Sequence, residues 1–270
     1  MDEGKRVARE AARALLSELD VQDEPSSVDN AMTFCHLEQH VLPEQLQLPF
    51  DAPADVRGIL DLGGMNVFVK GSRTSRIRWV SAHEIGHYAI AEHNEILRFC
   101  NTFDLSREAR RQLELEANEF AAEFLFQAGR FVEACMSQQF SVTMLRTMSD
   151  GFGVSYEAGF RRFVEQNPMP VALFVSSPIR TSAGTVDGRV IIDFGASKTR
   201  LRYGAYSPTF KRQYGIAQVR QVFDTDHPIS QATTSGQSVG EIPIGDKLLR
   251  VESFFNQYDV LSIVRPTARS

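Results

Sequence analysis

The pentapeptide His83-Glu84-Ile85-Gly86-His87 restricts this chain more than any other stretch. On an α-helix, residues four apart share a face, so His83 and His87 can grip one metal ion between them. Glu84 follows the first imidazole and can reach a water at that ion as a general base. The combination demands a helix lining a cleft, with a further element supplying another ligand, and it implies metal-assisted peptide hydrolysis. Ser81 stands just before the motif with Glu84 three residues on, so the spacing predicts a capping box and a helix starting here. Ile77, Trp79 and Val80 before it read as a short strand or the start of a buried helix. Ile85, Tyr88 and Ala89 supply an apolar flank.

Two imidazoles do not complete a catalytic site, which takes three protein ligands and one open position. His93 lies ten residues after His83, but Ile90 stands where a glycine would let the chain turn back. On a continuing helix His93 is rotated about 120° from His87. It is therefore expected as a polar residue at the helix end. The segment 114–125 offers a better partner. Ala117, Phe120, Ala121, Phe124 and Leu125 recur at helical spacing and form a buried stripe. A carboxylate near such a stripe is costly unless paired or metal-bound. Glu114 is accordingly assigned as third ligand, with Glu116 as the fallback. Glu119 and Glu123 are expected on the solvated face, and the small Ala117, Ala121 and Ala122 should let this helix approach the histidine helix closely.

The pentapeptide together with Glu114-Leu115-Glu116-Ala117-Asn118-Glu119-Phe120-Ala121-Ala122 resembles the ImmA/IrrE family of bacterial metallopeptidases, over about residues 30 to 165. That family's second motif commonly ends in Leu-Met-Pro, whereas here Leu125 is followed by Phe126-Gln127. The resemblance implies a zincin-like, mostly helical peptidase with Zn2+ as cofactor, held by His83, His87 and Glu114, and Glu84 as catalytic base. It further implies a cytoplasmic protein that cleaves a helix-turn-helix repressor and so derepresses stress or phage-defence genes.

The expected fold class is α+β, in three parts: a zincin-like metallopeptidase domain with a small sheet over 1–130, a helix-turn-helix-like helical segment over 131–167, and a sheet-rich domain over 168–270 whose position after such a peptidase resembles the GAF-like sensor domains of some relatives. Within the first, residues 3–19 read as an amphipathic helix carrying Val7, Ala11, Leu15 and Leu19 on one side, and 31–45 as another helix. Residues 56–70 alternate around Gly63-Gly64 and predict a strand, a turn and a strand. Such a strand can hold an extended substrate along its edge. Helices are expected at 81–93 and 106–127. In the second part Ser141 can cap a helix, and Gly151-Phe152-Gly153 makes a turn before another at 156–165. If that last helix reads DNA, Arg161 and Arg162 would meet phosphate; otherwise the segment buttresses the peptidase. Strands are expected at 171–175, 189–193, 241–244, 248–253 and 258–264.

Charge is unevenly shared: residues 1–168 carry a net of −9 and residues 169–270 a net of +4. From Phe194 to Phe223 no acidic residue occurs. There Lys198, Arg200, Arg202, Lys211 and Arg212 interleave with Tyr203, Tyr206, Phe210 and Tyr214. Cations that track phosphates and rings that stack on bases are the ingredients of single-stranded DNA binding. The alternative is a surface that packs its rings inward and offers its charges to the acidic half. Either way, this part is the place to look for an activating signal.

Cys35, Cys100 and Cys135 form an odd, sparse set that suits a reducing compartment. The charged first residues and the lack of any apolar run of about 18 residues predict a protein that neither enters nor crosses a membrane. Cys100, between the two ligand-bearing helices, could occupy the open metal position as an inhibitory thiolate, or be a small buried hydrophobe. The rival to a peptidase is a DNA-binding transcriptional regulator whose zinc only stabilises the fold. The oligomeric state is not legible.

Overall fold

The computed structural model describes residues 3–20, 25–49, 56–99, 105–178, 182–186, 189–192, 199–224 and 236–267. The chain forms two compact units, Met1–Glu133 with Asp150–Ser155 and Ala134–Ser149 with Tyr156–Ser270. The fold is α+β. Cys100 and Lys198 lie outside the described residues, so neither the thiolate brake nor that lysine is placed.

In the first unit, α1 (Glu3–Glu18) buries Ala8, Ala12 and Leu15 against the long helix α5 (Arg107–Leu125). The buried face of α1 is thus one step round from the expected Val7 and Ala11. Helix α5 starts where the sequence predicts, because the Ser106 hydroxyl accepts from the amide of Ala109 at 3.1 Å. Glu119 and Glu123 are not on a solvated face. They pair with Arg9 at 2.6 Å and Arg13 at 2.7 Å, both from α1, and the Glu123 side chain is only 2% exposed. Two basic residues one turn apart on α1 meet two acidic residues one turn apart on α5, which sets the register between the helices.

The segment expected as one helix over 31–45 divides. Helix α2 (Val28–Phe34), capped by Ser27, ends at Cys35, and His36 turns the chain at φ 57° into strand β1 (Glu38–Leu42). Strand β1 pairs in parallel with β3 (Asn66–Lys70), which pairs antiparallel with β2 (Gly58–Asp61), giving the order β1-β3-β2. The predicted strand, turn and strand over 56–70 is present, and Val67 and Val69 are fully buried. Strand β2 is an edge of this sheet and packs along α3 (Thr74–Ala89).

Helix α3 begins two turns earlier than the capping-box reading predicts. Ser81 is buried mid-helix, where Gln39 of β1 donates to its hydroxyl. No breaker lies between Thr74 and Ser81, so the local capping pattern yields to a continuous helix. At Ile90 the backbone becomes extended (ψ 109°), and the Asn94 side-chain amide donates to the Tyr88 carbonyl at 3.0 Å. The chain then restarts as α4 (Ala91–Phe99).

Three helices follow, α6 (Arg130–Met136), α7 (Val142–Gly151) and α8 (Tyr156–Gln166), with Ser141 capping α7 and Gly153 at φ 62° in the turn. The second unit is built on a five-stranded antiparallel sheet of β4 (Ala172–Pro178), β7 (Thr199–Tyr206), β8 (Gln237–Ile244), β9 (Lys247–Phe255) and β10 (Val260–Pro266). Its order is β7-β4-β10-β9-β8. A separate hairpin joins β5 (Ser182–Val186) to β6 (Arg189–Ile192). Helices α9 (Pro208–Gln213) and α10 (Ile216–Asp224) cover one sheet face, where Phe210, Val219 and Phe223 pack on Ala172, Phe174, Val251 and Val260. Helix α8 packs on β4 and β7. Residues Ala172 to Val175 are all fully buried, as a strand covered on both faces requires. Glu252, on β9, is buried and accepts from Arg250 and Arg265.

Candidate metal centre

Close contact between α3 and α5 creates the site. A Cβ placed on Gly86 would lie 3.0 Å from the Phe120 ring, so the small residue inside the pentapeptide lets the two helices approach. Ala117 and Ala121, both fully buried, serve the same end on α5. His83 and His87 then turn their Nε2 atoms to the same point, 3.2 Å apart. Glu114 reaches that point from α5, with one carboxylate oxygen 3.2 Å from His83 Nε2 and the other 3.6 Å from His87 Nε2. Donors about 2.05 Å from a tetrahedral ion stand about 3.3 Å apart. One ligand atom from each residue lies within 4.8 Å of the others, close enough to be gathered around one small cation, and the His-His-Glu set suits zinc or a similar ion. They form a cluster able to hold a metal ion.

The outer nitrogens are also committed. His83 Nδ1 lies 3.2 Å from the Asn118 side-chain oxygen. His87 Nδ1 lies 3.1 Å from His93 Nδ1, and His93 Nε2 lies 2.7 Å from Glu116. His93 is thus fully buried behind the centre rather than polar at a helix end, because the break at Ile90 swings it inward. The carboxylates exchange their expected environments as well. Glu116 is the buried one, and Glu114, its side chain 54% exposed, is the one beside the histidines. A single turn of α5 presents both.

Electrostatics separate the roles. Burial pushes the Glu84 carboxyl up to about 7, with His83 opposing and Glu114 adding to the rise. Hydrogen bonds to His83 and then His87 hold Glu114 well below the usual carboxylate range. Burial pulls both imidazoles down; at His83 the hydrogen bond to Glu114 and the nearby Glu84 charge outweigh it, so His83 is raised and His87 lowered. Glu84 lies against β2, where Gly58 leaves room for its carboxylate and for Val80.

Residues 46–163 match the family model of the peptidase M78, IrrE N-terminal-like domain. These residues form an IrrE N-terminal-like domain. The match takes in both helical motifs, the edge strand β2 and helices α6 to α8. The IrrE-like domain relates the chain to a family of metallopeptidases with regulatory roles. Among solved structures the chain is similar to a Mycobacterium tuberculosis transcriptional regulator, with a TM-score of 0.57 at 12% identity, covering 96% of this chain and 75% of that one. At that identity the likeness concerns the fold alone. No curated protein matches the chain. No helix among the described residues is long and apolar enough to cross a membrane.

The basic stretch has a different look from its sequence. Arg202 is paired with Asp259 at 2.6 Å and Glu157 at 3.6 Å, and the Tyr203 hydroxyl donates to Glu157 at 2.8 Å. Tyr206 sits edge-on to Phe174, and Tyr214 stacks on Phe210 with centroids 4.6 Å apart. The rings pack within the unit, and the acidic partners of Arg202 and Tyr203 belong to that same unit. Arg200, Lys211 and Arg212 stay exposed. On α8, Arg162 is buried and Arg161 pairs with Glu165 at 2.8 Å. Arg162 is not presented for phosphate contact, because its side of α8 faces inward with Phe160, Phe163 and Val164.

Proposed function

We propose that this protein is a regulatory zinc endopeptidase that cleaves a helix-turn-helix transcriptional repressor in the cytoplasm. The observation that carries the reading is the convergence of His83, His87 and Glu114 beside a buried Glu84 whose carboxyl is pushed up to about 7. Zinc bound there would polarise the scissile carbonyl and make the attacking water more acidic. Glu84 takes the proton from that water and delivers it to the leaving amine, a task suited to a base titrating near neutrality. Among the described residues β2 has no strand partner on its outer edge, beside Glu84, which supports a substrate held as an added strand.

The second unit is read as a GAF-like sensor that licenses cleavage, with single-stranded DNA as its signal. Its antiparallel sheet with helices on a face supports the first part, and the exposed Arg200, Lys211 and Arg212 support the second. The test is to incubate the protein with the helix-turn-helix protein encoded beside its gene, with and without a single-stranded oligonucleotide. A single cut that needs Zn2+ and is lost in Glu84→Gln is expected. Release of the repressor from DNA by Glu84→Gln as by the parent would overturn hydrolysis. It would instead favour a regulator whose metal is structural.

A further inference from the structure

Behind His87 lies a row of groups that the proposed hydrolysis does not use: His87 Nδ1, His93 Nδ1, His93 Nε2 and Glu116. The separations are 3.1 Å between the imidazoles and 2.7 Å to the carboxylate. His93 is fully buried, and the Glu116 side chain is 10% exposed. The other Glu116 oxygen accepts from Gln112 Nε2 at 2.6 Å. A Cβ on Gly4 would overlap that oxygen, so α1 closes over the carboxylate.

We propose that Glu116 and His93 form a positioning relay that fixes His87 in its metal-ligating tautomer. The direction follows from proton counting. With one proton on each imidazole, a carboxylate at Glu116 can only accept, so His93 places its proton on Nε2. His93 Nδ1 is then a lone pair and must receive a proton from its neighbour. His87 therefore carries its proton on Nδ1 and turns the Nε2 lone pair towards His83 and Glu114. Reversing the row would set a His93 lone pair against the carboxylate. His83 needs only one partner for the same result, the Asn118 oxygen. Outer-shell partners of this kind orient a metal-bound imidazole and raise its basicity. Glu116, the fallback ligand by sequence, and His93, ten residues after His83, thus act one layer back from the metal.

The inference rests on the metal-centre reading, and the experiment separates the two. Zn2+ affinity is measured by competition with a chromophoric chelator, and the Co2+ form is followed by its visible spectrum. His93→Phe keeps the ring but not the acceptor and should weaken Zn2+ binding about 10- to 100-fold. His93→Asn puts an amide oxygen near the Nδ1 position and should restore most of the affinity. Glu116→Gln, which can still accept from His93, should fall between parent and His93→Phe. Leu15→Ala, buried in the same α1–α5 interface, should lower the melting temperature and leave affinity unchanged. Parental affinity in His93→Phe, or no recovery in His93→Asn, overturns the relay while the centre stands. Parental affinity in Glu116→Gln removes the carboxylate from it. A parent that binds no Zn2+ overturns the centre and the relay together.

Discussion

Gly58 on β2 packs directly on the Glu84 carboxylate of α3: a Cβ built there would overlap Oε1 and lie 2.5 Å from Val80 Cγ1. The proposed base is therefore held from behind by backbone, and its position depends on the edge strand as much as on its own helix. Gly58→Ala should displace the carboxylate while leaving the metal ligands in place. A fall of about 10-fold in cleavage rate is expected, with Zn2+ affinity within about threefold of the parent, the order of effect that a misplaced general base produces. Parental cleavage by a folded Gly58→Ala would show that Glu84 tolerates the shift.

A carboxyl raised by burial also marks stability. Glu84 ionises near its ordinary 4.5 in the unfolded chain and near 7 in the fold. Below 4.5 it is protonated in both states and costs nothing. As pH rises from 4.5 to 7, the unfolded state releases the proton first and the metal-free fold loses stability. The full penalty, on the order of 3 kcal/mol, applies above 7. Glu84→Gln should therefore raise the stability of metal-free protein at pH 8 and have little effect at pH 4. Urea melts at both pH values decide it, and an equal effect at both would mean that the carboxyl is not held out of water.

The convergence of His83 and His87 is legible because their spacing is local: a five-residue pattern fixes a face of one helix. Glu114 comes to the two histidines although Glu116 takes the buried environment that the sequence assigns to Glu114. The break at Ile90 had no glycine or proline to announce it, so the inward turn of His93 could not be read. Nor could the burial of Glu123, whose partner Arg13 lies 110 residues away. Strand β7 did leave a signal, with Leu201, Tyr203 and Ala205 alternating with Arg202 and Gly204. The density of basic residues obscured it.

The ion pair between Arg13 and Glu123 gives a direct measure of the α1–α5 interface. Arg13→Ala leaves a carboxylate at 2% exposure without its guanidinium. A loss of about 1–3 kcal/mol is expected, because the charge stays buried. Glu123→Gln with Arg13→Ala should recover part of that loss. If the double variant is no more stable than Arg13→Ala alone, the pair is not what sets the interface.

Exposed and paired cations in the second unit should behave differently towards an oligonucleotide. Arg200, Lys211 and Arg212 are exposed, whereas Arg202 is held by Asp259 and Glu157. If single-stranded DNA binds here, replacing the three exposed residues by alanine should weaken binding and flatten its salt dependence, by about 0.7 in slope for each phosphate no longer neutralised. Arg202→Ala should instead lower the melting temperature and change the salt slope little. The packed rings predict weak dependence on base identity and no large loss in Tyr214→Phe, since that ring already stacks on Phe210. A triple variant that binds as the parent does, or a parent that binds nothing at low salt, would remove nucleic acid as the proposed signal for the second unit.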